Sequence, residues 1–415
     1  MKQFDPSHPI KPIIHTDTPY ILKDYEFSYP SFVLPSPLNV EPHKISSYFM
    51  NGGFLSSEIR RSRQECNRDS VYLQRETAIN YYTAYNCKEN PGLCGPVDNY
   101  IVYCQHQYRV GHIWVIENGV IPSKGVDCGW GSPYRPMTPA TMTPLERSQY
   151  TLLKGTYVYL PIPDGWSFQH FVDGVLPKLV QMEELLTKKD IKYIVELDIK
   201  RYPIVIKLFE RLGISSSQLV QKHKIRMNYF ETLIFPCFAP PIHPYLWQRA
   251  QYLLKLPHTT HSSLPEPMLV AYLSRGKGTY NGGRKVLNED EIVSELYEYF
   301  NHTSYQVVIF NSNDYKTLDS LFEFWSKVKF VIGPHGGSFS NVVFMRPETV
   351  LIEFQFDRTE LLTTSYNYRF MFYLQSTMLG LGYHSVLCNT DQVSSEANFA
   401  CDFDYIRDIL DVYVQ

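Results

Sequence analysis

Phe330-Val331-Ile332-Gly333-Pro334-His335-Gly336-Gly337-Ser338-Phe339-Ser340-Asn341-Val342-Val343-Phe344 is the stretch that decides the fold. It is entered by an apolar, β-prone run, Val328 to Ile332, which reads as a buried strand despite Lys329. Gly333-Pro334 is expected to stop that strand. Gly336-Gly337 permits positive φ and a close backbone approach to a ligand. Ser338 or Ser340 is expected to cap a short helix carrying Val342, Val343 and Phe344. A strand, a glycine loop and a helix N-terminus in series form an anion site, because unpaired N–H groups and the positive end of the helix dipole face the same point. His335 adds a donor for a diphosphate. The plainer reading is a tight βα turn with an incidental histidine, and the loop alone does not separate the two.

Outward from this loop, strands and helices alternate. On its N-terminal side lie a strand from Met268 to Leu273, a helix opened by Asn288-Glu289-Asp290-Glu291 in capping-box fashion, a strand from Gln306 to Phe310 and a helix from Leu318 to Trp325. Beyond the loop come a strand from Thr349 to Phe354, a helix from Tyr368 to Leu379, a strand from Tyr383 to Leu387 and a terminal helix from Asp402 to Tyr413. An earlier alternation holds a strand at Tyr157 to Leu160, a helix from about Ser167 to Leu186 that Pro177 can kink, and a strand at Ile191 to Val195. A helix from Pro203 stopped by Gly213 and a strand at Leu233 to Phe235 ended by Pro236 complete it. Such alternation implies parallel sheets covered on both faces, hence an α/β fold with two doubly wound units and a ligand cleft between them.

The expected boundaries are a Pro-rich extended arm over 1–45, a domain over 46–257 that is β-rich before becoming Rossmann-like from about 150, a second Rossmann-like domain over 268–390 and a helical tail over 391–415. Within the β-rich start, Asn118-Gly119 reads as a hairpin turn, Asn51-Gly52-Gly53 as a turn, and Tyr100 to Tyr103 as a strand.

Composition narrows the function. A net charge of -3 over 415 residues argues against nucleic acid or a membrane surface as partner, since both need a basic face. No apolar run reaches the length of a membrane span, and the N-terminus as written has no signal-like core, so the expectation is a soluble, cytoplasmic chain. The Golgi or ER lumen is the alternative. Of eight cysteines, five fall between Cys66 and Cys128, which suits a disulfide cluster in an oxidising compartment or free thiols in a reducing one. No Cys-x-x-Cys pair suggests zinc. Asn301-His302-Thr303 is a glycosylation sequon. Aromatics at 15%, with 32 tyrosines, suit a sugar-facing surface or a tyrosine-rich core equally.

Three further stretches carry chemistry. In Phe168-Gln169-His170-Phe171-Val172-Asp173-Gly174-Val175-Leu176-Pro177, His170 and Asp173 share a helix face three residues apart, so either can serve as general base for an acceptor hydroxyl. A helix-stabilising pair is the competing reading. Arg275, in Leu273-Ser274-Arg275 at a strand's C-terminal end, and Arg284, in Gly282-Gly283-Arg284, can each fork onto a diphosphate or belong to a solvated basic loop. Glu353 in the apolar strand Val350-Leu351-Ile352-Glu353-Phe354 can accept from ribose hydroxyls or pair structurally, with Arg346 the suggested partner. The only Asp-x-Asp, Asp402-Phe403-Asp404, lies away from any strand end, so no metal-clamped diphosphate is suggested.

Taken together these stretches resemble glycosyltransferase family 61. The likeness rests on Phe168 to Pro177, Leu273-Ser274-Arg275, Arg284, Asn288 to Glu291, Gly333-Pro334-His335-Gly336-Gly337, Asn341, Phe344 and Glu353, in the family's order over roughly residues 150 to 385. Gly337-Ser338-Phe339 departs from the Ala-Gly-Leu more usual there. The resemblance implies a GT-B-like fold of two facing Rossmann-type domains. It implies inverting, metal-independent transfer of a sugar, xylose or N-acetylglucosamine foremost and arabinose less so, from a UDP-sugar to a glycan or glycoprotein hydroxyl. The donor is a substrate, and no cofactor is implied. Donor-site residues would be Arg275, Arg284, Gly333, His335, Gly336, Gly337, Ser338, Asn341 and Glu353, with Asp173 and His170 on the acceptor side. Two other classes stay open: a catalytically silent glycan-binding protein on the same scaffold, and an assembly protein whose arm grips a partner.

Overall fold

Alternation of apolar strands with capped amphipathic helices gives two separate sheets. The computed structural model describes residues 5–16, 22–30, 32–35, 100–103, 110–121, 148–160, 167–195, 203–225, 228–240, 243–260, 263–276, 283–347, 349–356, 371–390 and 397–414. One compact unit comprises Met1–Gln3, Ser31–Cys104 and Leu256–Gln415, and the other Phe4–Pro30 and Gln105–Lys255.

β1 (Ile13–His15) and β2 (Lys23–Ser28) begin a seven-stranded sheet, while β3 (Phe32–Pro35) and β4 (Tyr100–Tyr103) form a separate antiparallel ribbon. The large sheet is completed by β5 (Val110–Val120), β6 (Thr151–Leu160), β7 (Lys192–Val195), β8 (Leu219–Gln221) and β9 (Asn228–Phe238), in the order β1-β2-β5-β9-β6-β7-β8. β6 pairs in parallel with β7 and β9, and β7 with β8. Read from β8 to β9 these four run third, second, first, fourth, the order of a Rossmann half-sheet. β5, β2 and β1 extend it antiparallel.

The arm therefore supplies strands. It is also tied down by polar contacts. The Tyr245 hydroxyl donates to the His8 carbonyl at 2.8 Å, and Arg249 donates to the Pro6 carbonyl at 2.6 Å.

Two turn expectations fail here for one reason. Asn118-Gly119 is no hairpin. β5 runs through it, with Asn118 in the left-handed region at φ 52°, because β5 pairs with β9 on both sides of the turn-like pair, through Glu117 and on to Val120. Gly119 serves a close approach instead: a Cβ there would lie 2.6 Å from that of Leu233. Pro236 likewise does not end β9, which continues to Phe238. The register against β5 shifts beside it, and such an irregularity is where a strand tolerates a residue without an N–H. Asn51-Gly52-Gly53 and the cysteines from Cys66 to Cys128 lie outside the described residues.

Between β6 and β7 the expected single helix is three pieces. α1 (Phe168–His170) passes through a π-helical turn, Phe171–Val175, into α2 (Leu176–Gln181), and α3 (Glu183–Leu186) follows. Ser167 caps the start, accepting from the His170 N–H at 3.3 Å. Pro177 has no N–H for the usual bond to the carbonyl of Asp173, and the Leu176 N–H reaches back five residues to Phe171. α4 (Pro203–Arg211) ends at Gly213, φ 92°, with the Ile214 N–H on the Phe209 carbonyl as expected of a glycine C-cap. α5 (Pro244–Leu253) was not foreseen. It is followed by α6 (Pro257–Thr260).

The second sheet is wholly parallel: β10 (Leu269–Tyr272), β11 (Gln306–Ile309), β12 (Val328–Pro334), β13 (Val350–Phe356) and β14 (Gly382–Cys388), in the order β11-β10-β12-β13-β14. That is the doubly wound order second, first, third, fourth, fifth. Chain direction across the sheet reverses between β10 and β12. α7 (Glu289–Phe300), α8 (Leu318–Ser326) and α9 (Met371–Leu379) are the connections, and α10 (Phe403–Tyr413) closes the unit. Val331, Ile332, Leu351, Ile352 and Phe354 are fully buried, as continuous apolar strands covered on both faces should be.

Asn288 precedes α7 but does not cap it. Its amide exchanges two hydrogen bonds with the backbone of Cys401, at 2.8 and 3.1 Å, and so ties α7 to the C-terminal segment. Cys401 is also disulfide-bonded to Cys388 of β14. Asp402 caps α10 through the Asp404 N–H at 3.0 Å, which accounts for the lone Asp-x-Asp structurally. No described helix is long and apolar enough to cross a membrane.

Candidate functional site

β10 and β12 are hydrogen-bonded neighbours, and each ends in a loop at the point where the sheet's winding reverses. Ligands of open α/β sheets bind beyond the carboxyl ends of the strands at such a point. Arg275 follows β10 and His335 follows β12 directly, so the sheet order alone places two of the candidates side by side.

Contacts then lock them. Arg275 donates from Nη1 to the His335 carbonyl and from Nε to the Gly283 carbonyl, both at 3.1 Å. The His335 N–H reaches the Phe354 carbonyl of β13 at 3.1 Å. The glycines take roles other than those expected. Positive φ belongs to Gly333, at 157°, inside β12; Gly336 is extended at φ 174°. The strand takes in Gly333 and ends at Pro334, within the Gly-Pro pair expected to stop it. A Cβ on Gly333 would meet the Leu273 carbonyl oxygen at 2.7 Å. A Cβ on Gly336 would meet Arg275 Nη1 at 2.4 Å. One glycine lets two strands approach, and the other leaves room for a guanidinium.

The helix after the loop is a 3₁₀ helix, Gly337–Phe344, capped by Gly336 with no side-chain cap bond. Neither serine caps it. Ser338 is exposed at the rim, and Ser340 is buried with its hydroxyl unpartnered. The first N–H groups of any such helix lack intrahelical acceptors, and here they belong to Gly337 and Ser338, the accessible residues of the loop. Asn341 is buried and donates to the Ser338 carbonyl at 2.7 Å, which shapes the loop from behind. Phe339 packs on Phe372 of α9 with ring centroids 5.3 Å apart.

Glu353 does not pair with Arg346, whose guanidinium holds the Pro265 carbonyl at 2.6 Å. It is fully buried, and one oxygen pairs with His335 Nδ1 in a short hydrogen bond. The other accepts from the Tyr383 hydroxyl at 2.5 Å and from Gln355 Nε2 at 3.2 Å. Both oxygens thus face protein donors, and the carboxylate stands behind His335. Tyr383 and Gln355 went unrecognised in the sequence. Gln355, two residues after Glu353 on the same strand face, was the available signal.

Arg284 sits in the left-handed region at φ 61°, and its neighbour Lys285 donates its N–H to the Asn398 side-chain oxygen and accepts from the Phe399 N–H. A non-glycine residue in that region is strained, and such strain gathers at functional sites.

In the other unit, His170 ends α1 and Asp173 lies in the π turn. His170 Nδ1 and Asp173 Oδ1 are 3.8 Å apart; the His170 side chain is 21% exposed and that of Asp173 4%. Neither Asp173 oxygen accepts a hydrogen bond, and burial pushes its carboxyl up to about 8 from an ordinary 3.8. Burial of this kind favours the neutral carboxyl over the carboxylate.

No curated protein matches the chain. A family model described as Glycosyltransferase 61 matches residues 168–352, from the start of α1 to the residue before Glu353. That stretch contains His170, Asp173, Arg275, Arg284 and the whole glycine loop, and the match, over less than half of the chain, supports its assignment to glycosyltransferase family 61.

Proposed function

We propose that the chain is an inverting, metal-independent glycosyltransferase that moves a sugar, xylose or N-acetylglucosamine foremost, from a UDP-sugar to a hydroxyl of a glycan or glycoprotein. The observation that carries this is the bonded pair of Arg275 and His335 at the reversal point of the parallel sheet. Guanidinium, imidazole and two loop N–H groups gather there, the donor set that a diphosphate leaving group needs when no cation is supplied. Gly333 and Gly336 make the approach possible, and Asn341 and Arg284 shape the rim. We assign the two units to the two halves of a GT-B-type enzyme.

In the reaction the acceptor oxygen forms a bond to the anomeric carbon as the bond from that carbon to the diphosphate oxygen breaks. The bonding electrons leave with UDP, where Arg275, His335 and the loop N–H groups meet the new charge. The acceptor hydroxyl loses its proton to His170, with Asp173 enclosed behind it. One in-line displacement inverts the configuration and needs one base.

UDP binding and turnover across a donor panel, with and without chelator, test the proposal. Arg275→Ala and His335→Ala should each weaken UDP binding by roughly 10–100-fold, the loss expected for a hydrogen bond to a charged group. His170→Ala should keep UDP binding and lose transfer. Unchanged turnover in Arg275→Ala and His335→Ala would sink the donor assignment. Glycan binding without any UDP affinity would favour a silent binding protein.

The working compartment we propose is an oxidising lumen, on account of the Cys388–Cys401 disulfide and the exposed sequon residue Asn301.

A further inference from the structure

Four polar side chains meet in the interior of the five-stranded unit. His335 is 6% exposed, Glu353 0%, Gln355 1% and Tyr383 2%. An isolated carboxylate there would be costly, since desolvation of a charge is offset only by close partners. Glu353 has three. His335 Nδ1 engages Oε1, while Tyr383 and Gln355 both donate to Oε2. Gln355 also reaches the Tyr383 hydroxyl, at 3.1 Å, which joins the two Oε2 donors.

The set is built by the sheet. Glu353 and Gln355 alternate onto one face of β13, and Tyr383 of β14 is in register with Leu351 on that same face. α9 lies against it: Phe372 packs on the His335 ring at 5.2 Å and Tyr373 on Tyr383 at 5.5 Å. Among the described residues, the ionisable or charged groups facing His335 are thus Glu353 from β13, Tyr383 from β14 and Arg275 from the β10 loop, through the His335 carbonyl. α9 presents aromatic rings, and the 3₁₀ helix Gly337–Phe344 carries no charged residue.

With Nδ1 committed to Glu353, a proton gained or lost by the ring is gained or lost at Nε2. A carboxylate in direct contact favours the charged imidazolium. Tyr383 and Gln355 keep that carboxylate oriented, as the third member of a triad does for its base.

We propose that Glu353, Tyr383 and Gln355 are positioning residues that fix His335 in one orientation and stabilise its imidazolium form, so that His335 meets a leaving diphosphate as a charged Nε2–H donor. The diphosphate in this statement rests on the function proposed above; the network does not. Glu353 therefore acts on the donor through His335, and Tyr383 and Gln355 join the working site although both are buried.

The test is ¹⁵N-histidine NMR on the nucleotide-free full chain, with His335→Gln used to assign the signal. The wild-type ring should keep its Nδ1 proton throughout the titration and lose only that on Nε2. In Glu353→Gln the midpoint should fall by about one pH unit or more, the scale of a lost opposite charge. Tyr383→Phe, which removes one hydroxyl and leaves the fold's apolar contacts, should shift it less but measurably. UDP affinity in Glu353→Gln should drop about 10–100-fold, as when the partner of a ligating histidine is removed. Equal midpoints in wild type and Glu353→Gln would make the network a structural filler and overturn the inference. Should Glu353→Gln not fold, an unchanged midpoint in Tyr383→Phe does the same. If the midpoints move as expected but UDP leaves the His335 signal untouched, the network stands and the donor-site reading falls.

Discussion

At the scale of single residues, two glycines three positions apart do different work, and substitution separates them. Gly336→Ala places a methyl 2.4 Å from Arg275 Nη1. Because that is the mobile end of a side chain, the arginine yields and the fold survives. UDP binding should fall about as far as in Arg275→Ala while the melting temperature stays near wild type. A Gly336→Ala protein with full UDP affinity would show that Arg275 is not held where the donor needs it. Asp173 supplies a second prediction, in pH. Its carboxyl stays neutral to about 8 in the folded chain against an ordinary 3.8. The stability this contributes is complete below the unfolded value and is lost as pH rises towards the folded one, since in between the unfolded chain releases a proton that the folded chain keeps. Asp173→Asn has no proton to lose, so its melting temperature should decline less than that of wild type as pH rises from 3.8 to 8. Parallel curves for the two proteins would mean that Asp173 is ionised in the fold.

At the scale of elements, the pairing of β10 with β12 determines whether Arg275 and His335 meet at all. Gly333 is the residue on which that pairing turns. Its φ of 157° and its 2.7 Å approach to the Leu273 carbonyl leave no room for a side chain, and the obstacle is backbone, which cannot swing aside. Gly333→Ala should cost roughly 1–3 kcal/mol of stability. Its melting temperature should drop where that of Gly336→Ala does not, and equal melting temperatures for the two variants would refute the division of labour between them. The π turn is the corresponding device in the other unit. Pro177 removes one helical donor, the chain widens by a residue, and Asp173 is carried into the interior while His170, three residues earlier, keeps partial exposure. The two side chains still meet, His170 Nδ1 and Asp173 Oδ1 lying 3.8 Å apart, as their spacing suggests.

At the scale of the whole molecule, each unit has its own sheet: Arg275 and His335 belong to the five-stranded unit, the His170–Asp173 pair to the seven-stranded one. The disulfide from Cys388 to Cys401 and the Asn288 amide join β14, α7 and the segment before α10, so the C-terminal residues are integral to the five-stranded unit. This bears on compartment. Chain produced in a secretory lumen should carry a glycan at Asn301, removable by amidase and absent from Asn301→Gln. Peptide mapping without reductant should recover Cys388 linked to Cys401. An unmodified Asn301 together with free thiols at both cysteines would place the protein elsewhere.

Much of this was legible in the sequence, because helical and strand periodicity is local. The strand into the loop, the helices that became α4, α7, α8 and α10, and the alternation that makes an α/β protein follow from apolar spacing and caps within a few residues. Local spacing also singled out Arg275 and His335 as candidates. What it does not hold is pairing. Asn118-Gly119 and Pro236 look like stops in isolation, yet a long partner strand carries the chain through both. The sequence could not say which glycine takes positive φ, because the close neighbour there is Leu273, just beyond the end of the adjacent strand. Nor could it show that Glu353 turns inward to His335, since its partners lie 18 and 30 residues away and meet it only when β12, β13 and β14 align. Local chemistry named the side chains; long-range strand order decided which of them face one another.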